Sequence, residues 1–250
     1  MKIHKLLLVM SIMLVVLLLS ACNGKPLPES GLVTFEAEDG LTISADLYRT
    51  EDDAAPYIIL FHQAGYSRGE YLEIAPRLNG MGFNCLAVDQ RSGGVANGVK
   101  NMTVETNGPG YSYADAFPDL KAALLYAKKD LRAKKIIIWG SSYSAALSFA
   151  LASEFPEDVN AVLAFSPGEY FSLDDKKIAD YAANIQCPVF IAAEAAITNS
   201  YNQAKPIYDN TPDDHKVYCE TNIHGSEALW SNNDNSELYW QQVSEFLNSL

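Results

Sequence analysis

The stretch from Lys135 to Leu151 leaves the chain few ways to fold. Lys-Ile-Ile-Ile-Trp is followed by Gly140-Ser141-Ser142-Tyr143-Ser144 and then by Ala-Ala-Leu-Ser-Phe-Ala-Leu. Three consecutive β-branched residues and a tryptophan, stopped by glycine, read as a short strand buried on both faces, and the Ala/Leu/Phe run reads as a helix. So short a turn brings strand and helix almost into contact, so the residues two before and two after its apex must be small. Ser142, between Gly140 and Ser144, meets that requirement, whereas Ser141 would place Trp139 at the first of those positions. Backbone strain in such a turn lifts the apical hydroxyl above the sheet. Taken alone, the same residues describe equally well a serine-rich turn that merely feeds a helix.

The 250 residues, 48% of them apolar, suffice for one large core and leave little for a second domain. A net charge of −13 and the lack of any basic stripe argue against nucleic-acid partners. Lys2 and Lys5 precede an apolar run from Leu6 to Leu19, which ends in Leu19-Ser20-Ala21-Cys22. The run is shorter than the roughly 20 residues a spanning helix needs, and it reads as a targeting segment. Its end resembles the lipobox of bacterial lipoproteins. That resemblance implies a signal peptide over 1–21, a lipidated Cys22 with a tether over 22–31, and a folded domain over 32–250, exported and held at a bacterial membrane. Neither the membrane nor its face follows from the sequence. Cys85, Cys187 and Cys219 are odd in number, lie in or beside apolar runs and match no metal site. They are expected to be buried structural thiols, with at most one disulfide among them.

In chain order, residues 33–47 alternate apolar and polar about Asp39-Gly40, which predicts an antiparallel hairpin. A third strand, 56–61, runs into His62-Gln63-Ala64-Gly65. Ser67 and Glu70 then have capping-box spacing, opening a helix that ends near Gly80 with Pro76 as a possible bend. A fourth strand, 83–88, leads into Asp89-Gln90-Arg91, and 95–113 reads as a long loop without periodicity. A helix over 115–131 precedes the Lys135 strand. Strands follow at 159–165, 188–193 and 216–222, and a last helix carries Tyr239, Trp240, Val243 and Phe246. The prediction is an α/β fold: a mostly parallel eight-stranded sheet with an N-terminal antiparallel hairpin, helices on both faces and no large cap domain.

In such sheets reactive groups gather at the carboxyl ends of the strands. His62-Gln63-Ala64-Gly65, Ser142 and His224 fall there, in the order found in the α/β-hydrolase superfamily. The chain resembles the small dienelactone-hydrolase-like and esterase-like members, whose Asp-x-Arg loop Asp89-Gln90-Arg91 also matches. The resemblance implies Ser142 as nucleophile and His224 as its base, with an oxyanion hole from the N–H of Tyr143 and one from the turn after His62, Ala64 being favoured over Gln63. It departs from the family in ending the serine motif with Ser144 instead of Gly. It departs again after the seventh strand, where the expected acid comes early as Glu194. Asp174 and Asp175 are alternatives, and so is the absence of any acid. His62 reads as a hydrogen-bonding residue that shapes its turn and borders the substrate pocket. Tyr111, Tyr113, Tyr170 and Phe171 are candidate pocket walls, and His215 a solvated loop residue.

The resulting expectation is a serine hydrolase that cleaves a carboxylic ester of small or medium acyl size through an acyl-enzyme, without metal or cofactor. Its partners would be a small-molecule ester and, through Cys22, a membrane; the oligomeric state is open. The alternatives are a serine peptidase on the same fold and a non-catalytic lipoprotein that binds through the hydrolase scaffold.

Overall fold

A computed structural model describes residues 26–195 and 199–250; the leader and Cys22 lie outside the described residues. Strands β1 (Gly31–Glu36) and β2 (Thr42–Tyr48) pair antiparallel, followed by β3 (Tyr57–Phe61), helix α1 (Ile74–Gly80) and β4 (Asn84–Asp89). A two-stranded ribbon of β5 (Val95–Ala96) and β6 (Val99–Lys100) leads to α2 (Met102–Asn107) and α3 (Phe117–Lys129). Then come β7 (Ile136–Ser141), α4 (Tyr143–Glu154), β8 (Ala161–Phe165), α5 (Ile178–Ala182), β9 (Val189–Glu194), α6 (Asn199–Asn210), β10 (Lys216–Thr221) and α7 (Ser236–Asn248). The main sheet has eight strands in the order β1-β2-β4-β3-β7-β8-β9-β10, parallel from β4 to β10.

Period-two alternation sorts the strand residues into two cores. Tyr57, Ile59, Phe61, Ile136 and Ile138 face α3, α4 and α5, while Ile58, Leu60, Ile137 and Trp139 face α1 and α7. The central strands are therefore buried on both sides, which explains their unbroken apolar runs. Trp139 is fully buried, stacks on Phe165 at 4.8 Å between centroids and donates its indole N–H to Ser226 Oγ at 2.9 Å.

Two local expectations change. The segment 95–113 is not a bare loop, because Asn101 caps α2 by accepting the Val104 N–H at 2.9 Å. Ser67 does cap, but it caps a single 3-10 turn, Arg68–Tyr71. The Glu70 carboxylate points into the core instead of back to the cap, so the capping box does not form and α1 begins only at Ile74. Pro76 then falls in the first turn of α1, where a missing N–H costs no helical bond, and no bend is needed. Cys85, Cys187 and Cys219 are buried free thiols.

Candidate active site

Ser142 sits between β7 and α4 with φ 58° and ψ −120°, a conformation that a side chain rarely adopts. Its backbone is held by donation of its N–H to Phe165 O at 2.7 Å. Close approach is what the small flanking residues permit: a Cβ on Gly140 would stand 2.5 Å from the Ala145 backbone. Ser144, where the family pattern has glycine, is accommodated because its hydroxyl is buried and shared among the carbonyls of Phe61, His62 and Ser141 at 2.8, 2.6 and 2.9 Å. It ties the elbow to the end of β3.

The Ser142 hydroxyl donates to His224 Nε2 at 2.9 Å, and His224 Nδ1–H donates to Glu194 Oε1 at 2.8 Å. Glu194 is the last residue of β9, and its second oxygen accepts the Ser166 hydroxyl at 2.9 Å. Ser166, at φ 51° just beyond β8, also accepts the Gly225 N–H at 2.9 Å, so one hydroxyl links the acid to the histidine loop. A Cβ on Gly225 would stand 2.5 Å from Ser141 Oγ, which is why that loop can press against the elbow. Asp174 and Asp175 are not brought to the histidine. They occupy an exposed turn, at φ 49° and 61°, closed by the Leu173 and Lys176 backbones.

Tyr143 opens α4, so its N–H has no intrahelical acceptor and points with the positive end of the helix dipole. In the turn after β3, the Gln63 N–H is committed to Glu70 Oε2 at 2.7 Å, which removes Gln63 as an oxyanion donor. The Gln63 carbonyl accepts from His62 Nδ1 at 2.8 Å and from the Tyr66 N–H at 3.2 Å. The Ala64 N–H lies on the opposite edge of that planar peptide, turned away from both donors.

His62 is fully buried and therefore borders no pocket; Nε2 takes the Gln90 N–H at 3.2 Å, with Asn101 at the same distance, and burial holds its pKa below the usual value. Tyr111 lies over the Arg91 guanidinium in a separate cleft of about 490 Å³ bordered by Asp39, Asp115 and Lys121. Tyr113 stacks on Tyr143 at 4.7 Å and faces Phe171 at 6.3 Å, while the Tyr170 hydroxyl donates to Ser166 O at 2.8 Å. Among the described residues no cluster of three or more His, Cys, Asp or Glu could hold a metal ion.

The family model described as serine aminopeptidase, S33, matches residues 52–217. The chain belongs to this hydrolase family. An esterase of Pyrococcus furiosus superposes with a TM-score of 0.67 at 19% identity, covering 88% of this chain and 92% of that one. A dienelactone hydrolase of Anabaena variabilis gives 0.66 at 14%, covering 90% and 99%. An acylaminoacyl peptidase of Pyrococcus horikoshii gives 0.65 at 18%, covering 90% of this hydrolase but 42% of the peptidase. No curated protein matches this hydrolase in sequence. The sheet order and the hairpin at its edge are those of an α/β-hydrolase without a large cap.

Proposed function

We propose that the protein is a serine hydrolase that cleaves carboxylic esters of small or medium acyl size through an acyl-enzyme. One observation carries this reading: the continuous relay from Ser142 Oγ through His224 to Glu194, with steps of 2.9 and 2.8 Å. Ser142 Oγ attacks the ester carbonyl carbon while His224 Nε2 takes its proton, and the carbonyl electron pair moves onto oxygen. The N–H groups of Tyr143 and Ala64 receive that oxyanion; one such donor is typically worth about 10²–10³ in rate. Collapse expels the alkoxide, which takes the proton from His224 and leaves the acyl group on Ser142. Water, deprotonated by the same nitrogen, then releases the acid.

The family description favours peptide bonds as a second reading. Cleavage at a free amino terminus calls for a carboxylate to receive the ammonium. Three acidic side chains near the site already hold intramolecular bonds, Glu194 to His224 and Ser166, Glu169 to the N–H groups of Ile178 and Ala179, and Glu227 to Tyr66 and Gln63, while Asp174 and Asp175 stand in the exposed turn that is not brought to His224. This supports the ester. A fluorophosphonate probe should label the wild type and not Ser142→Ala, and p-nitrophenyl butyrate should be cleaved far faster than an aminoacyl p-nitroanilide. Folded protein that never labels would support a binding module instead. In this reading Cys22 carries lipid and tethers the domain, through the residues that precede β1, to a bacterial membrane, a placement supported by Leu19-Ser20-Ala21-Cys22.

A further inference from the structure

Among the described residues three carboxylates are fully buried: Asp89 and Asp119 pair with Arg68 and Arg91, but no cation among these residues pairs with Glu70. A carboxyl group in that position is tolerable only if hydrogen bonds replace its hydration. Glu70 Oε2 accepts the Gln63 N–H at 2.7 Å, and Oε1 accepts the Ser141 hydroxyl at 2.6 Å. Ser141 Oγ in turn accepts the Ser226 N–H at 2.9 Å, and Ser226 Oγ accepts the Trp139 indole.

Each residue so held stands beside one that the reaction uses. Gln63 precedes Ala64, Ser141 precedes Ser142, and Ser226 follows His224 by two. A single buried carboxyl thus joins three loops that are distant in sequence. The local alternative, a helix cap, is excluded by where the carboxylate points.

We propose that Glu70 is a positioning residue whose carboxyl group fixes the oxyanion loop, the nucleophile elbow and the histidine loop relative to one another. The proposal rests on the reading of Ser142, His224 and Ala64 as the working groups. Its force is geometric: a displacement of about 1 Å at a reacting group can cost about 10² in rate. Both His62, through the Gln63 carbonyl, and Glu70, through the Gln63 N–H, grip the same residue, and loss of the second grip leaves the loop free to tilt.

The test compares full-length wild type with Glu70→Leu, Glu70→Gln and Ser141→Ala, reading kcat and KM on p-nitrophenyl acetate together with amide exchange at Gln63 and Ser226. Glu70→Leu should lower kcat ten- to a hundredfold with KM within about twofold, and should speed exchange at Gln63. Glu70→Gln, which retains an acceptor for Gln63 and a partner for Ser141, should restore kcat to within about threefold and slow that exchange again. If the Leu variant does not fold, Ser141→Ala decides: it should lower kcat about tenfold and speed exchange at Ser226. A folded Glu70→Leu or Ser141→Ala with wild-type kcat, or unchanged exchange at both amides, would overturn the brace. Wild type that neither labels nor cleaves esters would sink the proposed function, and the two amides would still decide the brace.

Discussion

Glu194 reaches His224 from a position displaced from the one where the resemblance expects an acid. It lies at the very end of β9, earlier than the family places its acid, and the extra methylene of glutamate carries the carboxylate to His224 Nδ1. Ser166 occupies its other oxygen, so the carboxylate is held from two sides. Its role would be to fix the tautomer with Nε2 toward Ser142 and to stabilise the imidazolium formed during attack. Glu194→Gln keeps the shape and loses the charge, so turnover of a small activated ester should fall by a factor of hundreds or more with little change in melting temperature. Asp174→Asn and Asp175→Asn, in their exposed turn, should change turnover less than twofold. Steady-state kinetics on the three variants would refute this assignment if Glu194→Gln retained near-full activity while an Asp variant lost it.

At the scale of elements, the turn between β7 and α4 depends on contacts that tolerate no added atom. Gly140→Ala drives a methyl group into the Ala145 backbone, where no side-chain rotation relieves it. The substitution should destabilise the fold by about 3 kcal/mol or more, seen as a lowered urea midpoint with an unchanged slope. A variant as stable as wild type would mean that the elbow can open. The strands of this sheet were legible because buried apolar runs leave few alternatives, and Gly140, Ser142 and Ser144 announced the turn through size alone. The ribbon and α2 inside 95–113 were not legible: two-residue strands and a six-residue helix held by the Asn101 cap are too short to show a period. Glu70 was misread for a different reason. Ser67 and Glu70 have the local spacing of a cap, and the partners that turn the carboxylate inward, the Gln63 N–H and the Ser141 hydroxyl 71 residues away, are set by the fold. Ser166 carried no signal at all, since a serine after a strand is ordinary until the fold sets it between Glu194 and Gly225.

For the whole molecule, two properties can be read without substrate. Among the described residues no helix is long and apolar enough to cross a membrane; the proposed attachment at Cys22 rests on Leu19-Ser20-Ala21-Cys22. Wild type made in a bacterium should partition into detergent with a diacylglyceryl mass increment on an N-terminal Cys22, and Cys22→Ala should lose both; unmodified wild type recovered from membranes would refute this. The second property is the pH dependence of stability, which Glu70 should dominate above neutrality. Burial raises its pKa to about 8, the nearby Glu227 carboxylate adds to the rise, and the bonds from Ser141, Gln63 and Ser226 oppose it. A raised carboxyl pKa means that the folded state binds the proton more tightly than the unfolded chain does. The associated stability is fully present below the unfolded value of 4.5 and is lost as pH rises to about 8. Asp119, raised by burial to about 6 beside Arg91, adds a loss of the same sign at lower pH. His62 acts oppositely: burial lowers its pKa, so its contribution is present above the unfolded 6.5 and is lost as pH falls below that value. Between about pH 6.5 and 8 the Glu70 contribution therefore stands largely alone, with a limiting slope of about 1.4 kcal/mol per pH unit that flattens as the group ionises. Denaturant midpoints of the wild type should fall across that interval, whereas Glu70→Gln, which carries no proton to lose, should be nearly flat there; above it the buried thiols of Cys85, Cys187 and Cys219, also raised by burial, continue the fall in both proteins. Equal slopes in the two proteins would mean that Glu70 is already ionised at neutral pH, and that its bonds to Ser141 and Gln63 outweigh the cost of burying the charge.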